Sequence, residues 1–159
     1  MIIREYVQKD LPAMISLWNE VVAEGNAFPQ EEMLDEKSSA EFFALQSYCG
    51  VAEKDGKILG LYILHPNNVG RCSHISNASF AVSSSARGQH IGKKLVLDCI
   101  ENARRLGFGI LQFNAVVETN FAARRLYERL GFKQLGTIPN GFRMKDGHFE
   151  NICPYYIEL

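Results

Sequence analysis

Arg87, Gly88, Gly92, Lys93 and Lys94 stand close together in VSSSARGQHIGKK, Val82 to Lys94. Glycines and cations ahead of an apolar-periodic run make an anion loop at a helix start. The first N–H groups of a helix have no internal partner, and the helix dipole adds positive charge there. Glycine lets the backbone approach a phosphate closely. The spacing excludes the two commonest phosphate loops. A Walker loop places four residues between Gly and Gly-Lys and follows with Ser or Thr; here Gly88 and Gly92 bracket three, and Lys94 follows Lys93. The dinucleotide pattern G-x-G-x-x-G near a first strand is also absent. Further along, Asn120 and Tyr127 are seven residues apart. That is two helical turns, which puts both on one face. Asn77 and Asn114 fall in β-rich runs, where Asn is depleted, and a buried amide there needs a partner such as a ligand.

The elements that must position these residues follow from periodicity. MIIREYV reads as a first strand. Asp10 with Pro12 predicts a helix start, and Met14, Leu17, Trp18, Val21 and Val22 give it one apolar face. GNAFPQ breaks that helix, and a second is expected at about 35–47. YCGVAEKDGKILGLYILH predicts a hairpin turning at Asp55-Gly56. SHISNASFAV predicts a strand. A helix from Ile91 buries Val96, Ile100, Ala103 and Leu106, and ends near Gly107. GILQFNAVV predicts another strand. NFAARRLYERLG predicts a helix with Ala123, Leu126, Tyr127 and Leu130 on its apolar face and Gly131 past its end. FKQLGTI and FENICPYYIEL close the chain as two late strands. The order β-α-α-β-β-β-α-β-α-β-β is that of a mixed α/β (α+β) domain.

A chain of 159 residues fits one domain, expected to span 1–159. A net charge of −1 gives no global field toward nucleic acid or membrane. The N-terminal stretch lacks a signal-peptide pattern, and no apolar run reaches the ~18 residues of a membrane span. Cys49, Cys72, Cys99 and Cys153 are too scattered for a zinc site or disulfide framework. A cytoplasmic protein with reduced thiols and no metal is expected.

The motifs V-x-x-x-x-R-G-x-x-I-G-K and, thirty residues on, N-x-x-A-x-x-L-Y-x-x-L-G-F resemble the GNAT superfamily of N-acetyltransferases. The likeness covers about Cys49 to Ile138. It implies the GNAT fold: a mixed, mostly antiparallel central sheet with splayed central strands, flanked by helices. It implies acetyl-CoA as co-substrate, a small-molecule amine as partner, and the homodimer common in the superfamily. By this resemblance Phe80, Ala81 and Val82 pair their backbone with the pantetheine arm. Arg87, Gly88, Gln89, His90, Ile91, Gly92 and Lys93 hold the pyrophosphate. Asn120 bonds the pantetheine arm, serves as a plain N-cap, or does both. Tyr127 is the general acid for the departing thiolate, or a core aromatic. His90 departs from the motif, standing where its middle glycine does, although its backbone N–H is all the role requires.

GLYILHPNNVGRCSHISNASFAV, RGQHIG, LQFNAVVETN and LGTIP are similar to the L-azetidine-2-carboxylate N-acetyltransferases. That likeness puts Asn77 and Asn114 in the acceptor pocket. Phe28 and Pro29 form an apolar wall there, or simply pack between helices. No base stands out; Glu118, His74 and a water chain are the candidates, and Arg71 or His74 could meet a substrate carboxylate. The expected function is acetyl transfer from acetyl-CoA to a small amino or imino acid. The alternatives are another small amine, a peptide α-amino group, or a non-catalytic acetyl-CoA sensor module.

Overall fold

A computed structural model describes all residues, Met1–Leu159. Eight strands and four helices follow in the order β1 (Ile2–Glu5), α1 (Leu11–Glu24), α2 (Glu36–Ala44), β2 (Tyr48–Lys54), β3 (Lys57–Pro66), β4 (Ile75–Val82), α3 (Ile91–Arg105), β5 (Ile110–Val117), α4 (Phe121–Arg129), β6 (Lys133–Gln134), β7 (Ile138–Arg143) and β8 (Phe149–Glu158). They build one sheet in the order β1-β2-β3-β4-β5-β8-β6, with β7 also paired to β8. Every pairing is antiparallel except β4 with β5. The mixed, mostly antiparallel sheet expected from the motifs is therefore present.

The sheet is buried on both faces because alternate strand residues are apolar on both sides. On one face Val51, Leu61, Ile63 and Ala81 pack against Met14 and Trp18 of α1 and Phe43 of α2. On the other, Tyr62, Leu64, Leu111 and Tyr155 pack against Leu95, Val96 and Cys99 of α3. Each such side chain removed from water contributes roughly 1.5–3 kcal/mol before chain entropy is counted. Leu106, expected on the buried face of α3, is 41% exposed at its end.

The expected hairpin turn forms as read: Asp55 and Gly56 have φ of 52° and 74°. One expectation is refined and one corrected. Asp10 stands at the N-cap of α1, as the helix start requires, but its side chain makes no bond to that helix. Asp10 closes a short 3-10 turn, accepts from the Val7 N–H at 2.8 Å, and pairs with Arg4 at 2.7 Å. The C-terminal region holds three strands, not two. Pro139-Asn140-Gly141 reads as a turn, yet lies inside β7, where the pairing with β8 slips between Ile138 and Phe142. Asn140 takes φ 53° at that irregularity.

The two central strands set the site. β4 and β5 pair only at Ile75–Ile110 and Ser76–Leu111, then part. β5 is further disturbed by a register shift against β8 between Phe113 and Val116. A wedge therefore opens toward Val82 and the start of α3.

Candidate active site

Strand alternation decides which backbone groups face the wedge. Ser83 donates to Leu59 at 2.9 Å and Asn67 donates to Ile75 at 2.7 Å, so odd-numbered β4 residues face β3. Phe80 and Val82 consequently turn their N–H and C=O groups toward the parted β5. The Ala78 N–H on that edge is taken by the Asn77 side-chain oxygen at 2.8 Å.

Beyond the wedge, the chain from Arg87 to Lys93 has a run of seven backbone N–H groups that donate to no protein acceptor. The first helical bond of α3 is Lys94 to the His90 carbonyl at 3.2 Å. Gly88 has φ 81°, and His90, the residue before α3, has φ 59° and ψ 22°. The chain thus visits the left-handed region twice, which presents its amides outward. His90 occupies a conformation that favours glycine, and its side chain makes no capping bond.

A cavity of about 720 Å³ fills the wedge. Phe80 and Phe113, edge to face at 5.7 Å, bridge the two strands on the α3 side. Asn77 and Asn114 line it from β4 and β5, Phe28 and Pro29 from the α1–α2 connection, and Asn120 and Tyr127 from α4. Asn114 exchanges amide bonds with Asn67, at 2.6 Å and 3.2 Å. Asn120 accepts from the Ala123 N–H at 3.3 Å, a helix cap that leaves its amide nitrogen free. The Tyr127 ring packs 4.6 Å from Phe113 and 5.6 Å from Phe132. Its hydroxyl has no protein partner among the hydrogen bonds of the structure, and burial raises its pKa above the usual tyrosine value. No side chain of α4 is fully buried, because its expected core face borders this cavity.

Residues 12–132 match the Acetyltransferase (GNAT) family. The chain belongs to the GNAT family. It is 34% identical over 144 residues to the uncharacterized N-acetyltransferase MJ1530 of Methanocaldococcus jannaschii, covering 87% of the chain and 82% of that protein. It is 44% identical over 91 residues to N-acetyltransferase aca1 of Schizosaccharomyces pombe, covering 57% of the chain but only 43% of that relative. The fold superposes on a GCN5-related N-acetyltransferase of Kribbella flavida with TM-score 0.91 and 32% identity, over 99% of this chain and 97% of that one. GNAT membership makes this an acetyltransferase domain with acetyl-CoA as its co-substrate.

Within the GNAT fold the residues expected at the site divide by how they reach it. Phe28, Asn77, Phe80, Val82, Arg87, Gly92, Asn114, Asn120 and Tyr127 line the cavity. Gly88, Gln89, His90 and Lys93 lie outside it, on the exposed loop and first turn of α3. Ile91 is 1% exposed and anchors that turn in the core. Ala81 is fully buried and by parity faces β3, a spacer between the two wedge residues. The residues named from sequence as base (Glu118, His74) or carboxylate partner (Arg71, His74) fare worse. His74 sits where β4 and β5 join, its carbonyl accepting from Gly109 and Ile110. Arg71 lies in an exposed 3-10 turn, and Glu118 accepts from Asn151 at 3.2 Å. None of the three lines the cavity.

Sequence reading missed Glu24, Asn26, Thr119 and Met144, which do. Glu24 ends α1 and pairs with Arg87 at 3.0 Å. One turn earlier, Glu20 accepts from the Ser84 N–H at 3.0 Å, and Ser84 holds its carboxyl below the usual range. A glutamate on an amphipathic helix reads as solvated surface, so no local signal marks either residue.

No helix is long and apolar enough to cross a membrane. No group of three or more His, Cys, Asp and Glu side chains is arranged to hold a metal ion.

Proposed function

We propose that residues 1–159 form one catalytic unit that acetylates the amine of a small amino or imino acid, with proline analogues such as azetidine-2-carboxylate as the leading class. The observation that carries this reading is that Asn77 of β4 and Asn114 of β5 both line the cavity. Asn77 and Asn114 bring amide groups into a cavity otherwise walled by Phe28, Pro29, Phe80 and Phe113. The amide hydrogens left free on these side chains suit the carboxylate of a compact zwitterion, and the apolar walls suit its ring.

In this reading the amides from Arg87 to Lys93, with the Arg87 and Lys93 side chains, hold the pyrophosphate of acetyl-CoA. Phe80 and Val82 add the pantetheine arm as an extra strand beside β4. The Val82 N–H polarises the thioester carbonyl and stabilises the oxyanion formed as the amine attacks. Asn120 steadies the arm through its free amide nitrogen. Tyr127, kept protonated by burial, gives its proton to the sulfur as the carbon–sulfur bond breaks. The amine sheds its ammonium proton to water and attacks directly, with no acyl-enzyme; the proton lost as the amide forms passes through water to restore the Tyr127 phenol.

Thiol release measured with acetyl-CoA against a panel of amines tests the reading. The panel holds azetidine-2-carboxylate, proline, phosphinothricin-like amino acids, simple amines and short peptides. Fastest turnover with the imino acids supports it. Preference for peptides would move the acceptor class, and no turnover with any amine despite acetyl-CoA binding would leave a sensor module.

A further inference from the structure

Three ionisable side chains line the cavity: Glu24, Arg87 and Tyr127. Glu24 is therefore the one carboxylate there. Its position is not explained by helix stability, since it is the last residue of α1, where the dipole disfavours negative charge. Its counter-ion is Arg87, at 3.0 Å, with side chains 35% and 68% exposed. An ion pair so open to water is weak and easily exchanged.

Arg87 also begins the run of free amides ahead of α3. A guanidinium prefers the forked geometry and higher charge of a phosphate to a single carboxylate oxygen. We infer that Glu24 holds the acceptor's ammonium group, and that Arg87 covers it until a pyrophosphate draws the guanidinium away. The inference rests on the proposed acetylation of a small amine. Once Arg87 turns to the phosphate, Glu24 faces the cavity without a counter-ion. A cationic amine restores the balance. The Glu20–Ser84 bond, at 3.0 Å, keeps α1 beside the loop while Arg87 changes partner. Cofactor then binds first and prepares the acceptor site.

Thiol release by Glu24→Gln tests this against the wild-type. The amine KM rises at least tenfold, while the acetyl-CoA KM stays the same or falls because Arg87 has lost its competitor. Glu24→Asp keeps the charge and recovers most of the amine affinity, which separates the role from folding. In calorimetry with the best amine of the panel, wild-type binds it at least tenfold more tightly when saturated with CoA. Arg87→Gln binds it equally well with and without CoA. A Glu24→Gln enzyme with unchanged amine KM and raised acetyl-CoA KM would overturn the inference, leaving Glu24 as a support for Arg87. A wild-type that acetylates no amine at all would overturn the proposed function, and this inference with it.

Discussion

Tyr127 and His90 show opposite uses of an unusual environment. Packing against Phe113, Phe132 and Tyr155 raises the Tyr127 pKa, so the phenol stays a proton donor throughout the neutral range. Tyr127→Phe keeps the ring and removes the proton. Its kcat is expected to fall about a hundredfold, the lower end for a positioned acid, with the acetyl-CoA KM nearly unchanged. An unaltered kcat in thiol release would remove Tyr127 from proton transfer. His90 instead carries a backbone cost, its φ of 59° being one that non-glycine residues pay roughly 1–2 kcal/mol to adopt. His90→Gly relieves that cost and loses a similar amount through the freer unfolded chain. Its urea midpoint is expected to stay close to wild-type, with acetyl-CoA affinity within about twofold. A large loss of affinity would assign binding to the imidazole itself. Both positions were legible because each lies in a local motif. Glu24 was not, because its significance comes from Arg87, 63 positions away along the chain.

At the scale of elements, the same contrast separates what patterns reveal from what contacts decide. The β2–β3 hairpin was legible from Asp55-Gly56, whose positive φ values suit its tight turn. Strand β7 was not, because Pro139-Asn140-Gly141 is turn chemistry used inside a strand irregularity. Gly141 is required there: a Cβ would lie 2.5 Å from Ile152 of β8. Gly50 in β2 is tighter still, with a Cβ 2.2 Å from the Tyr62 ring. That ring cannot yield, since its hydroxyl donates to Asp98 at 2.7 Å and accepts from Asn102 at 3.0 Å. Gly50→Ala should cost at least ~2–3 kcal/mol in urea unfolding. The N-cap position of Asp10 was legible, but the use of its side chain was not, because its partner, Arg4, belongs to another element. The Arg4 hydrogen bond holds the Asp10 carboxyl below its usual range. A depressed pKa contributes stability above the unfolded value, near 4, and loses it as pH falls through the folded value. Asp10→Asn should therefore cost roughly 2–4 kcal/mol at pH 7, having broken a nearly buried pair. The gap from wild-type should narrow steadily as unfolding is repeated below pH 4.

Across the whole molecule, two separate apolar cores on opposite faces hold a sheet whose middle is parted. Periodicity placed both cores through the apolar faces of α1 and α3. It gave no sign of the parting itself, which came only from likeness to the family, because a strand reads the same whether or not its neighbour stays paired. The parting has a spectroscopic consequence. Amide protons without an acceptor exchange quickly with solvent deuterium. In the free protein these are Phe80 and Val82 on the wedge edge and the run from Arg87 to Lys93. ADP, which offers a pyrophosphate alone, should slow exchange from Arg87 to Lys93 only. CoA should slow those amides and also Phe80 and Val82 if its arm runs along β4 as proposed. Protection that stopped at Arg87 with CoA bound would mean the arm leaves the sheet. The parted strands thus act as a ruler, reporting how far along the edge a ligand reaches.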